Sequence, residues 1–385
     1  MPAVRQTHRT RTSLRYDCRH PIDDFVELPR MAKQRTLTGY RPTGKLHLGH
    51  WFGNLQNMLQ MQHDYDAYYF IADWHALTTH WADPSDVQAF SEEMVLDWVA
   101  AGLDPEVCTI YRQSDVPEVA ELTLYFTMVT PMSWLERVPS YKEQRDQITD
   151  KDLGNVGFFL YPAMQAADIT IVLADAVPVG EDQLPHLELT REIVRRFNNT
   201  YGEYLVEPKA IIAKSGARVP GTDGRKMSKS YGNSIFLSDP EETLRAKAMS
   251  FMTDPARKLK TDPGDPAICP LHQVHKLIGE ADVIAQFDAC CRTAECGCVQ
   301  HKRAFADDLV AYLAAFQTRR AELAAIPGFA EEVLAAGAAK ARPITSEVVR
   351  TCRELVGIDA RTELSAGIER RDGSASADLP TQADS

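Results

Sequence analysis

Short apolar runs, each bounded by polar residues or Gly/Pro punctuation, alternate with stretches of helical period through the first 235 residues. The runs Arg35–Thr38, Ala67–Ala72, Cys108–Tyr111, Ala176–Val179 and Ala210–Ala213 predict buried parallel strands. Leu48–Gln62, Pro84–Ala101, Pro117–Thr127 and Gln183–Phe197 predict the helices between them. This alternation predicts an α/β fold, a doubly wound parallel sheet of the nucleotide-binding kind. Neither a Walker A string nor a Gly-x-Gly-x-x-Gly follows the first strand, so the phosphate site is neither a P-loop nor a dinucleotide site.

Beyond residue 240 the strand signal fades into alanine-rich helical patterns at Glu241–Met249, Gln273–Leu277, Glu280–Asp288, His301–Glu322, Phe329–Ala341 and Thr345–Val356. The expected organisation is a catalytic domain over 34–238 and an all-helical domain over 239–368. Residues 1–33 and 369–385 lack periodicity and read as disordered, with Met31 a candidate start.

Composition adds limits. A chain of 385 residues, 44% hydrophobic and 25% charged, matches a soluble globular protein with room for two domains. No apolar run approaches the ~20 residues a membrane helix needs. Arg5, Arg9, Arg11 and Arg15 are not followed by the apolar segment of a secretory signal, so cytoplasm is the expected location. A net charge of −12 argues against nucleic-acid binding by global electrostatics but leaves room for local basic clusters. Arg191, Arg195 and Arg196 form one such candidate, and Arg257, Lys258 and Lys260 another.

Two strings carry the candidate chemistry. His47-Leu48-Gly49-His50 stands where the first strand passes through a Gly/Pro-rich turn into a helix, which sets the imidazoles at i and i+3 on one face near the helix start. Lys226-Met227-Ser228-Lys229-Ser230 lies in a loop that Gly216, Gly221 and Gly224 make pliable and Gly232 follows. When a carboxylate attacks the α-phosphorus of ATP, negative charge grows on the equatorial oxygens and on the leaving pyrophosphate. His47 and His50 can donate to the first, and Lys226 and Lys229 can close on the β- and γ-phosphates as point charges. Gly49 leaves the backbone bare for a flat adenine or ribose.

With these residues in view, the pair resembles the two signature motifs of class I aminoacyl-tRNA synthetases, and the surrounding text is similar to bacterial tryptophanyl-tRNA synthetases. The matching text runs from Thr38 to His50, from Ile71 to His80, from Tyr161 to Asp168, from Val179 to Arg191 and through the lysine string. The resemblance extends over residues 35 to 365. It implies a Rossmann-type catalytic domain, a helical domain that grips the anticodon arm, and a homodimer. The implied activity is ATP-dependent joining of L-tryptophan to tRNA(Trp). ATP is then expected to meet Arg41, Pro42, Thr43, Gly49, His50, Gly180, Glu181, Asp182, the backbone near Val219, and Lys226 to Ser230, including Met227 and Ser228. Mg2+ would bridge the phosphates largely through water.

By the same resemblance Asp168 accepts the indole N–H of tryptophan, Val177 and Val179 form the apolar slot, and Gln165 and Gln183 complete the substrate set. Asp168 lies in an apolar helix, where an unpaired carboxylate is costly. Gln165 also matches the tyrosyl pattern, which keeps a tyrosine enzyme as the alternative, whereas the Gly180–Arg191 stretch points to tryptophan. A non-catalytic paralogue that binds tryptophan or tRNA is the other alternative; intact histidines and lysines argue against it.

Eight cysteines do not read as a disulfide framework in a cytosolic enzyme. The spacing Cys269-x21-Cys291-x6-Cys298-x2-His301 resembles an iron–sulfur site that some tryptophanyl enzymes carry, with histidine at the last position. Such a set suits Zn2+ as well as a [4Fe-4S] cluster, with Cys290 or Cys296 as spare thiolates, or else it is a relic that binds nothing.

Overall fold

Five strands form one parallel sheet in the order β3-β2-β1-β4-β5 in the computed structural model, which describes residues 33–138, 153–180, 183–212, 219–254, 256–259 and 261–358. The strands are β1 (Arg35–Tyr40), β2 (Asp66–Ile71), β3 (Thr109–Arg112), β4 (Ala176–Val179) and β5 (Lys209–Ile212). Each lies within a few residues of its expected run, and Ala213 falls outside the described residues. Segments 1–32 and 359–385, with Met31 and Cys18, also fall outside them, so the expected terminal disorder concerns residues not described.

β1 pairs with β2 from Arg35↔Asp66 to Tyr40↔Ile71 and with β4 through Thr36↔Ala176. The chain builds outward from β1 to β3 and then returns to the other side of β1. The gap between the C-terminal ends of β1 and β4 is therefore the topological switch point, where open α/β sheets hold their ligands. The turns after Tyr40 and after Val179 both open there.

Period-two alternation explains why the central strands read as unbroken apolar runs. Tyr69 and Ile71 of β2 join one buried cluster with Met94, Trp98 and Ile110. Tyr68 and Phe70 join the opposite one with Leu37, Phe126 and Ile169. Both faces are covered, so nothing polar is required between them.

The helices are α1 (Leu48–His50), α2 (Gln56–Asp64), α3 (Asp73–His80), α4 (Val87–Ala101), α5 (Glu118–Val129), α6 (Met132–Glu136), α7 (Val156–Ile171) and α8 (Leu184–Tyr201). A π turn at Trp51–Leu55 separates α1 from α2, where the sequence pattern predicts a single helix. That wider turn goes with Trp51, whose Nε1 donates to Tyr312 Oη at 2.8 Å. Asn155 caps α7 by accepting from the Phe158 N–H at 2.8 Å.

Beyond the lysine segment come α9 (Glu241–Ser250), α10 (Pro270–His275), α11 (Ala281–Arg292), α12 (Cys298–Ala324) and α13 (Phe329–Val356). The sequence pattern splits the last of these at Pro343, yet α13 runs through the proline and ends at Gly357, whose φ of 81° makes a left-handed cap. Its apolar stripe is long enough to hold the helix together across one lost backbone bond.

This helical part shares the core of the sheet. Phe305, Leu309 and Leu313 of α12 and Val333 and Leu334 of α13 belong to the cluster that holds Tyr69 and Trp98. Buried Asp97 of α4 accepts from Arg320 Nε of α12 at 2.6 Å, and Arg112 of β3 donates to Glu331 of α13 at 2.9 Å. Removing one partner of a buried pair such as Asp97–Arg320 leaves the other uncompensated, at a cost of about 3–5 kcal/mol.

Closest of all is the crossing of α13 over β3. A Cβ added at Gly337 would lie 1.7 Å from the Ile110 carbonyl oxygen, so the helix sits on the strand backbone itself. Gly337→Ala is expected to destabilise the fold by at least about 1–3 kcal/mol through overpacking. Thermal unfolding checks this against Gly53→Ala, where an added Cβ meets nothing within 4 Å and the melting point should hold.

Candidate active site

The turn after β1 opens with exposed Arg41, buried Pro42 and half-buried Thr43. Gly44 follows at a φ of +107°, a region that L side chains avoid. The next residue but one is pinned: the Leu46 N–H donates to Asp97 Oδ2 at 3.2 Å, so the carboxylate that holds Arg320 also holds the approach to His47.

His47 is the N-cap of α1, and its N–H donates to His50 Nδ1 at 3.1 Å. The two rings stack at 3.7 Å between centroids, tilted by 32°. Burial, with Lys229 and Lys226 adding to it, pushes the His47 imidazole down to about 4. Burial and then His47 itself push His50 down to about 2. Both rings are thus neutral at working pH, and His50, accepting at Nδ1, carries its proton on Nε2. His47 Nδ1 is buried with no hydrogen-bond partner.

Gly49 has a sharper reason than a bare backbone. A Cβ there would meet the His47 ring at 2.8 Å and Met227 Cβ at 3.6 Å. The glycine is what lets the first string fold onto itself and lets the second string lie against it.

The second string is built into the same end of the sheet. The Leu48 N–H donates to the Ile235 carbonyl at 3.0 Å and the Leu237 N–H to the Leu46 carbonyl at 3.0 Å, a short antiparallel ladder. Upstream, Val219 is buried and its carbonyl accepts from the Met227 N–H at 2.9 Å. Lys229 Nζ donates to the Gly44 carbonyl at 2.8 Å across the first turn. Burial lowers the Lys229 ammonium to about 8. Lys226 and Ser230 are exposed, and the Ser228 and Ser230 hydroxyls are 2.9 Å apart.

Asp168 lies in the middle of α7 with about 1% of its surface exposed. Its Oδ2 accepts from His75 Nε2 at 2.8 Å and its Oδ1 from Gln113 Nε2 at 2.7 Å. Burial raises its carboxyl above the ordinary range, and the His75 and Gln113 hydrogen bonds pull it back. His75 and Gln113 are the residues that the sequence reading missed. Their signal was position: Gln113 directly follows β3 and His75 opens the helix after β2, both at the C-terminal edge of the sheet.

Around them, Val177 is buried in the sheet core and Val179 half-buried at the end of β4. Gln165 is half-buried three residues before Asp168, and Gly180 is exposed. Gln183 caps α8, and its N–H donates to the Gly180 carbonyl at 3.0 Å. Glu181 and Asp182 lie outside the described residues.

The basic clusters are partly engaged within the chain. Arg191 donates to the Pro208 carbonyl at 2.7 Å and Arg195 to Glu207 at 2.8 Å, while Arg196 lies 5.6 Å from the Trp134 ring centroid. Lys258 is exposed and Lys260 lies outside the described residues.

The cysteine segment requires two corrections. Cys290 and Cys296, expected as spare thiolates in a chain without a disulfide framework, form a disulfide with each other. Their spacing across the end of α11 brings the α-carbons to 5.3 Å, within reach of a bridge. His301 is not turned to the thiols: its Nε2 pairs with His275 Nδ1 at 2.9 Å and its ring stacks on Phe287 at 4.2 Å. Arg257 Nη1 instead approaches Cys291 Sγ at 3.7 Å and Cys298 Sγ at 4.0 Å. A guanidinium beside the thiols and a fourth ligand engaged elsewhere do not fit a cluster or zinc. Among the described residues no group of three or more His, Cys, Asp or Glu is arranged to hold a metal ion.

Comparison with known proteins agrees with this geometry. The family described as tRNA synthetases class I (W and Y) matches residues 31–314. A tryptophan–tRNA ligase from Thermotoga maritima is 43% identical, over 84% of this chain and 99% of the relative. One from Ralstonia nicotianae is 37% identical, over 85% of this chain and 99% of the relative. Among solved structures, the tryptophanyl-tRNA synthetase of Campylobacter jejuni complexed with ADP and tryptophan superposes with a TM-score of 0.78 at 34% identity, covering 84% of this chain and 99% of that one. The chain therefore belongs to the class I tRNA synthetases of the tryptophan and tyrosine type.

Proposed function

We propose that this chain is a tryptophan–tRNA ligase whose histidine and lysine strings form one adenylation site. The observation that carries this reading is the seating of the lysine segment on the His47 turn, with Met227 against Gly49 and Lys229 bonded across to Gly44. Relatives of that activity align over nearly their whole length.

In the first step the carboxylate of L-tryptophan attacks the α-phosphorus of ATP, forming tryptophanyl-adenylate and releasing pyrophosphate. Neutral imidazole N–H groups donate to the α-phosphate oxygens as charge grows there, and Lys226 and Lys229 neutralise the leaving pyrophosphate. Lys229 gives one donor to the Gly44 carbonyl and keeps two for phosphate oxygens. Arg41, Pro42, Thr43, Gly180, Glu181, Asp182 and the backbone at Val219 complete the ATP surface. Mg2+, when bound with the phosphates, would supply positive charge there. In the second step a ribose hydroxyl at the 3' end of tRNA attacks the activated carbonyl and releases AMP.

Asp168 selects the amino acid. Each of its oxygens already holds one donor, and each retains a second lone pair for an indole N–H. Val177 and Val179 line the slot, with Gln165 and Gln183 at its polar margins. The segment 239–368, with α9 to α13, takes the anticodon arm. Among the described residues no helix is long and apolar enough to cross a membrane, and the reading places the enzyme in the cytoplasm.

A homodimer completes the reading. Leu124 and Met128 stand one turn apart on α5 and are 53% and 71% exposed; Met132 on α6 and Val156 at the start of α7 are similarly bare. Exposed apolar side chains of this kind are ones that a second copy would cover.

Tryptophan-dependent exchange of pyrophosphate into ATP tests the activity. Exchange with tyrosine alone would overturn the substrate, and exchange with neither would overturn the enzyme. Asp168→Asn is expected to lower kcat/KM for tryptophan by about 10–100-fold, the worth of a hydrogen bond to a charged group, while the KM for ATP holds. Unchanged tryptophan kinetics would remove Asp168 from the site. A pH series follows from Lys229: its charge is present below about 8 and is lost as pH rises through that value. kcat/KM for ATP should fall on that alkaline limb, and Lys229→Arg should move the limb upward. Met128→Asp should shift sedimentation from dimer toward monomer if α5 is the interface.

A further inference from the structure

We propose that Asn233 is a positioning residue for adenylation: its side-chain amide closes the lysine loop into a ring and so sets where Lys226 and Lys229 stand. This rests on the reading of the two lysines as the pyrophosphate clamp, and it adds a residue outside both signature strings.

Asn233 is about 2% exposed. Its Oδ1 accepts from the Ser228 N–H at 2.8 Å. Its Nδ2 donates to Asp223 Oδ1 at 2.7 Å and to the Lys226 carbonyl at 3.1 Å. Both amide protons and the carbonyl oxygen are thus used, and all three partners lie upstream in the same loop. The Asn233 carbonyl adds a fourth tie, accepting from the Thr222 N–H at 3.0 Å. A Cβ at Gly221 would fall 2.3 Å from this amide, so the glycine makes room for it.

The loop needs such a brace. Gly224 and Gly232 take φ values of +81° and +64°, and a chain with this freedom loses much entropy when it is ordered. Asn233 holds the carbonyl of Lys226 and the N–H of Ser228, the residue before Lys229, so both lysines leave the ring at fixed points. Two residues on, Ile235 accepts from the Leu48 N–H at the start of α1. One short segment therefore fixes the lysines to each other and both to the histidine turn.

Asparagine is the residue type that the ring requires. Aspartate lacks the two donors and would face Asp223; alanine lacks donor and acceptor together. A loop misplaced by about an ångström can cost about 10²-fold in rate without loss of binding, because the lysines act on charge that appears only in the transition state.

The test uses the full chain and tryptophan-dependent pyrophosphate exchange. Asn233→Ala should lower kcat by about 10²-fold, while equilibrium binding of tryptophan measured without ATP is unchanged. Asn233→Asp should be similarly impaired. Combining it with Asp223→Asn reverses the donor and acceptor of that pair, and the double variant should recover at least about ten-fold over Asn233→Asp. Wild-type kcat in Asn233→Ala, loss of tryptophan binding in step with kcat, or a double variant no better than the single would each overturn the proposal. Lys229→Ala separates the layers. Impairment there with an unimpaired Asn233→Ala removes Asn233 alone, whereas an unimpaired Lys229→Ala removes the clamp on which the proposal stands.

Discussion

The nucleotide end of this molecule depends on two backbone hydrogen bonds between segments far apart in the chain, Leu48 to Ile235 and Leu237 to Leu46. All four side chains are essentially without solvent exposure. A peptide group stripped of its partner in such surroundings costs about 1–3 kcal/mol, so the ladder is not easily left unmade. Nor can it slip by one residue, because the side chains that now face the core would then face outward. The register of that ladder is what makes the lysine loop face the histidine pair. Met227 against Gly49 and Lys229 at Gly44 follow from it.

The ladder is held from behind by the helical part. Asp97 offers one oxygen to Leu46 and the other to Arg320 of α12, so the approach to His47 and the helix beneath it share a single carboxylate. On the opposite edge, α13 lies on the backbone of β3 through Gly337, and Arg112 at the end of that strand reaches Glu331. The strand so held leads directly into Gln113, which donates to Asp168. Helices whose sequence pattern reads as a separate module thus brace both ends of the site. A continuous apolar core through Trp98, Phe305 and Leu334 is the reason.

Strands and the two signature strings were legible in the sequence because their determinants are local: apolar runs between punctuation, and residue types that have a chemical role but little structural one. What stayed hidden depends on distant contacts. The π turn at Trp51 answers to Tyr312, and the continuity of α13 through Pro343 answers to the core it covers. Gly337 is an ordinary small residue in an alanine-rich stretch until Ile110 is laid against it. The cysteine spacing left cluster, zinc and relic open for the same reason. Spacing records which thiols could meet, but not that Arg257 would stand beside them or that His275 would engage His301.

Asp168 carries the argument furthest from local pattern to chemistry. A carboxylate at the centre of an apolar helix raises its own pKa by burial, and its neutral form would be a donor with less capacity to accept. His75 and Gln113 oppose that tendency by donating to one oxygen each. Gln113 is itself oriented, since its Oε1 accepts from the His75 N–H at 3.3 Å, which leaves its amide protons for the acid. The three side chains come from α3 just after β2, from the residue that follows β3 and from α7, so the two hydrogen bonds that oppose burial reach the carboxyl from the strand ends that frame the switch point. The holding of this acid is in this sense a property of the sheet, which presents two donors where a single helix would present only a buried carboxyl.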